Sequence, residues 1–140
     1  MKRKRCFFLT LTLLWLAVIF GHSMQSAEAS AAESGSILRF VQKLLPFMTE
    51  HFLRKAAHFS EFFILGVLLR LTCCCCFDRA SVCPPLLFGV ISAMTDETIQ
   101  LFSPGRACQV TDVWIDTAGV ACGVGVLCLW ALIRKKRKKE

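Results

Sequence analysis

Long apolar stretches closed off by basic clusters constrain this chain more than any other feature. An essentially continuous apolar run from Cys6 to Phe20 follows Lys2, Arg3, Lys4 and Arg5, and the last apolar run ends at the RKKRKK stretch from Arg134 to Lys139. Between them lie His51 to Cys76, polar in its first turns and apolar from Phe62 onward, and Pro84 to Phe102. Segments of this kind read as membrane-spanning helices, and Lys/Arg clusters beside them mark the cytoplasmic side. With both clusters on one side the number of spans must be even. The sequence supports four, at about 6–22, 55–76, 84–102 and 111–133. The expected fold class is all-α: one polytopic membrane helix bundle over residues 1–140 with both termini cytoplasmic. The loops near 22–50 and 103–111 then lie outside, and the loop near Asp78 lies inside.

Composition agrees with a membrane class. Of the 140 residues 55% are hydrophobic and the mean hydropathy is +0.55, above the roughly 45–50% apolar content of soluble domains. The net charge of +7 is not a nucleic-acid signature, because it sits in two membrane-flanking clusters and not on a basic face interleaved with aromatics. The nine cysteines do not form a disulfide scaffold: their number is odd, and Cys73 to Cys76 are contiguous, so they cannot staple distant segments. They read as small apolar residues kept reduced. Cys73 to Cys76, near a cytoplasmic helix end, are also acylation candidates. Zinc is disfavoured, because no His lies at ligand spacing from that run.

The first apolar run is short for a span, which usually needs about 17–25 residues. With its basic start and the following SAEASAA it also fits a secretory signal with a cleavage site near Ala27 and Ala29; periodicity does not separate the two. Gly21 to Gly35 reads as an outer loop. Ser36 to Met48 reads as a short amphipathic interfacial helix, with Ile37, Phe40, Val41, Leu44 and Leu45 opposite Arg39, Gln42 and Lys43, stopped around Pro46. Pro84 and Pro85 suit a helix start, and Ser103, Pro104 and Gly105 a turn. Gly119 and Gly123 form a small-residue step that admits a close helix neighbour.

Ionisable residues cluster at the outer ends of the second, third and fourth spans. Arg54, His58 and Glu61 share one helix face at i, i+4, i+7, continued by Leu65. Asp96 and Gln100 are i, i+4 with Glu97 beside them, Arg106 caps the outer turn, and Asp112 and Asp116 are again i, i+4. So many charges at one membrane depth exceed what helix packing needs, and they point to a ligand or catalytic site. His58 beside Glu61 is a candidate general base with its orienting acid. Arg54, Lys55 and Arg106 suit a phosphate or carboxylate head group. Asp96, Glu97, Asp112 and Asp116 are hard oxygen ligands suited to a divalent metal, Mg²⁺ or Ca²⁺. His22 and His51 fall in outer loops and receive no role. No GxSxG, HExxH, Walker loop or zinc signature is present.

RKAAHFSEFFILG (54–66), TDETIQLFSPGR (95–106) and DVWIDTAGVACG (112–123) together resemble the VanZ-like family of small bacterial membrane proteins. The matching slots are Arg54, Lys55, His58, Phe59 and Glu61; Asp96, Glu97, Gln100, Phe102, Pro104, Gly105 and Arg106; and Asp112, Asp116 and Gly119. Ser23 to Ser26 also resembles the family's early S-x-Q segment, which favours a retained first helix. Phe62 departs from the pattern: the family usually has Tyr there, and this chain has none. The resemblance implies a bacterial cell-membrane protein, and its founding member is associated with resistance to the lipid-tailed glycopeptide teicoplanin. That association is carried by analogy.

Three readings follow. In the first, an outward-facing polar pocket binds an amphiphile, either a lipid-linked envelope precursor or a lipidated antibiotic, with membrane lipids as surroundings and no nucleic-acid partner. In the second, a membrane enzyme acts on such a lipid, with His58 as base and the carboxylates holding the metal. An ion pathway comes third, because the cytoplasmic halves of the spans offer few polar residues.

Overall fold

A computed structural model describes residues 2–76 and 81–138. Five helices follow in chain order: α1 (Lys2–Ser23), α2 (Ala27–Gln42), α3 (Glu50–Cys76), α4 (Cys83–Phe102) and α5 (Val110–Arg137). No strand occurs among the described residues. The turn expected around Asp78 and Arg79 lies largely outside the described residues.

α1, α3 and α5 are long and apolar enough to cross a membrane. The expected four are thus matched by three on that measure. α4, with 20 residues, is diluted by Asp96, Glu97 and Gln100, all of which turn inward and are buried. Large apolar side chains such as Leu13, Leu14, Leu87, Trp130 and Leu132 point outward. Apolar surface on this scale needs an apolar environment.

α3 and α5 form the most intimate pair, α4 packs on both, and α1 lies along α3 and α4. The α3–α5 seam is close because it is built from glycines. A Cβ on Gly119 would fall 2.6 Å from the Phe59 carbonyl oxygen. One on Gly123 would run into the Phe63 carbonyl, and one on Gly66 into the Val120 backbone. Around the seam, Ile19, Phe62, Leu65, Leu69, Ala93, Val120 and Val124 form the buried core. Phe62, the position that departs from the family pattern, is fully buried in it. Polar contacts fix α1 on α3: Thr12 and Thr72 share a 2.9 Å hydrogen bond, the Trp15 indole donates to the Glu61 carbonyl at 2.9 Å, and Arg5 Nε donates to the Cys75 carbonyl at 3.0 Å.

The segment expected to be loop as far as Gly35 is helical from Ala27. Ser26 caps α2, its side chain accepting from the Ala29 amide at 3.2 Å, and the Ala- and Glu-rich residues that follow are strong helix formers. The helix stops at Gln42 and does not reach Met48, and no residue of it is buried. The Ala27 amide donates to the Pro104 carbonyl at 3.0 Å, which ties the start of α2 to the α4–α5 turn. Gly105 has a φ of 73° there, a conformation glycine adopts freely. α4 opens on its two prolines as expected.

Candidate functional site

The three-helix convergence expected from spacing is present, and α1 adds a fourth side. His58 from α3, Asp96 from α4 and Asp116 from α5 each offer one ligand-type atom, all within 4.8 Å of one another. His58 Nδ1 lies 3.5 Å from Asp116 Oδ1 and 4.0 Å from Asp96 Oδ2. Both aspartates are completely buried. Asp96 is held from two sides: Ser23 Oγ of α1 donates to Oδ1, and Gln100 Nε2 donates to Oδ2 at 2.9 Å. Both Asp116 carboxylate oxygens and His58 Nδ1 are buried without a hydrogen-bond partner.

Other members of the predicted set take supporting positions. Glu97 accepts from Gln100 at 3.1 Å and from the Gln109 amide at 2.7 Å, and so holds the start of α5. Asp112 is taken by Lys55 in an ion pair between α5 and α3. Glu97 and Asp112 therefore stand outside the compact ligand-type cluster, whereas Asp96 and Asp116 belong to it. The expected pairing of His58 with Glu61 does not form. One helical face holds both residues, but Glu61 Oε1 meets His22 Nδ1 at 2.8 Å, and the carboxylates facing His58 come from α4 and α5.

Beside this cluster opens a cavity of about 220 Å³, whose wall includes His22, Ser23, Arg54, His58, Glu61 and Arg106 with Ile37 and Leu53. Ser30, Glu33 and Ser34 bring α2 into the same wall. Neither Arg54 nor Arg106 forms a salt bridge among the described residues, and Arg106 Nε is buried without a hydrogen-bond partner. Burial, and next the charge of Arg54, push the Arg106 guanidinium below its ordinary value; an arginine keeps its charge regardless. A second recess, of about 30 Å³, is lined by His51, Arg54, Lys55, His58, Gln109 and Asp112.

Sequence reasoning passed over Ser23 and His22 as site residues and gave His51 no role. The signal available for Ser23 was its place in the S-x-Q stretch. His22 offered none, because its partner lies 39 residues away.

A family model described as VanZ/LLP1 matches residues 8–132. No curated protein matches the chain. No solved structure matches it either.

Proposed function

The chain belongs to the VanZ/LLP1 family of membrane proteins, and from that premise we propose that it binds the anionic head group of an amphiphile in its outer cavity. The observation that carries this is the pair Arg54 and Arg106, which line one cavity without a carboxylate partner. Two guanidinium groups left unpaired in a partly buried wall repel each other, and an anionic oxygen relieves that repulsion through charge-assisted hydrogen bonds. Ile37 and Leu53 in the same wall offer apolar contact for the beginning of a chain. The bundle crosses the membrane four times, α4 included, with both termini cytoplasmic and α2 at the outer surface. Lipid-linked envelope precursors and lipidated glycopeptides share the required chemistry, and tolerance to teicoplanin-type antibiotics is the phenotype this reading favours.

The test uses the full chain in nanodiscs with an undecaprenyl-type phosphate lipid and a neutral lipid of equal chain length. The phosphate lipid should bind more tightly, and Arg106→Lys should weaken it about tenfold, because the planar fork is lost while the charge remains. Equal affinity for the two lipids would remove the head-group reading. Chemical conversion of the lipid during incubation would move it from binding to catalysis.

A further inference from the structure

We propose that His58, Asp96 and Asp116 bind one first-row divalent cation of the Mn²⁺ or Zn²⁺ type. The geometry is unsuited to direct hydrogen bonds and suited to a shared ion. Separations of 3.5 and 4.0 Å from His58 Nδ1 to the two carboxylates exceed the roughly 2.7–3.2 Å of a hydrogen bond. Two ligands on one ion at metal–ligand distances of about 2.0–2.2 Å lie roughly 3–4.4 Å apart; the three atoms here lie within 4.8 Å of one another, so an ion would draw the widest pair slightly inward. Asp116 gives the second sign: it is completely buried, its nearest cationic-type group is His58 Nδ1 at 3.5 Å, and neither of its oxygens has a donor at ordinary hydrogen-bond length.

Charge points the same way. Among the described residues no Lys or Arg nitrogen lies within 4 Å of Asp96 or Asp116, since Lys55 is taken by Asp112. One imidazole faces two buried carboxylates, and Arg106 offsets the Asp96 charge only from beyond 4 Å, so the centre carries excess negative charge. A dication balances both and leaves the imidazole neutral, as a ligand must be. The ligand set is completed by a supporting layer, because Ser23 and Gln100 fix the Asp96 carboxylate from outside, as hydrogen-bond donors commonly do for metal-binding carboxylates. An imidazole with two carboxylates suits Mn²⁺ or Zn²⁺ better than Ca²⁺, which takes six to eight oxygens. With Nδ1 on the metal, that nitrogen cannot serve as a general base. His58 also lines the cavity, so the ion has access to the anionic group proposed above. That last step rests on the head-group reading; cation binding does not.

The experiment titrates Mn²⁺ alone into the untagged full-length protein in nanodiscs, followed by electron paramagnetic resonance. Mn²⁺ prefers carboxylate and imidazole to thiolate, so the nine cysteines compete little. One saturable site is expected, with nitrogen coupling from a single imidazole. The chain has three histidines, so coupling that persists in His22→Gln/His51→Gln assigns the nitrogen to His58 without touching the cluster. His58→Gln and Asp116→Asn should each weaken binding at least tenfold. Ser23→Ala, acting through Asp96, should weaken it about tenfold, while Asp112→Asn should leave it unchanged. Absence of saturable binding, absence of nitrogen coupling, or wild-type affinity in both His58→Gln and Asp116→Asn would overturn the proposal.

Discussion

Ser23 sits in a recognisable S-x-Q stretch, but no local pattern announces its partner. Its hydroxyl donates to a carboxylate 73 residues away, and its own carbonyl accepts from Ser103 Oγ at 2.7 Å. Hydrogen bonds to charged groups contribute about 1.5–3 kcal/mol, so Ser23→Ala should lower unfolding stability in detergent by about that amount. A stability equal to wild type would mean that Asp96 is served from elsewhere. The helical faces of the site were legible because a period of 3.6 is a local property: Arg54, His58 and Glu61 had to lie together, as did Asp112 and Asp116. The choice of partner was not legible. Whether Glu61 meets His58 or His22, and whether Asp112 meets Lys55 or a metal, depends on distances between helices that spacing within one helix does not encode.

At the scale of elements, the α3–α5 seam is the rigid part of the fold. Gly123→Leu should destabilise by about 1–3 kcal/mol or more, the usual effect of overpacking, because its Cβ has only backbone to displace. Gly125→Leu on the same helix should be near neutral, since nothing lies within 4 Å of a Cβ there. Thermal melting of the two variants side by side checks this, and equal losses would contradict it. The Gly119 and Gly123 step was readable as a close-approach signal, whereas its counterpart at Gly66 was hidden inside an ordinary apolar run. α2 was misjudged for the opposite reason. Polarity and small residues between Gly21 and Gly35 look like loop, yet an Ala-rich segment behind a Ser cap satisfies the requirements of a helix without burying anything.

For the molecule as a whole, membrane disposition is the property to test. Membrane-impermeant maleimide applied from outside should reach Cys108 and not Cys75, and a C-terminal reporter should be active only in the cytoplasm. Desolvation, then the Glu97 carboxylate, push the Cys108 thiol above its ordinary value. Only the thiolate reacts, so the labelling rate should still be climbing with pH at mildly alkaline values. An active reporter outside the cell would overturn the four-span arrangement. The intact mass should include α1, because Trp15, His22 and Ser23 contact Glu61 and Asp96 from that helix. Finally, α2 supplies a cavity wall while burying none of its own residues. Few buried contacts mean a low free energy of local opening. In deuterated buffer its amides should therefore exchange far ahead of those along the glycine seam, and a molecule occupying the cavity should slow the α2 amides first. The helix that contributes least to holding the bundle together would then be the one whose protection reports that the cavity is filled.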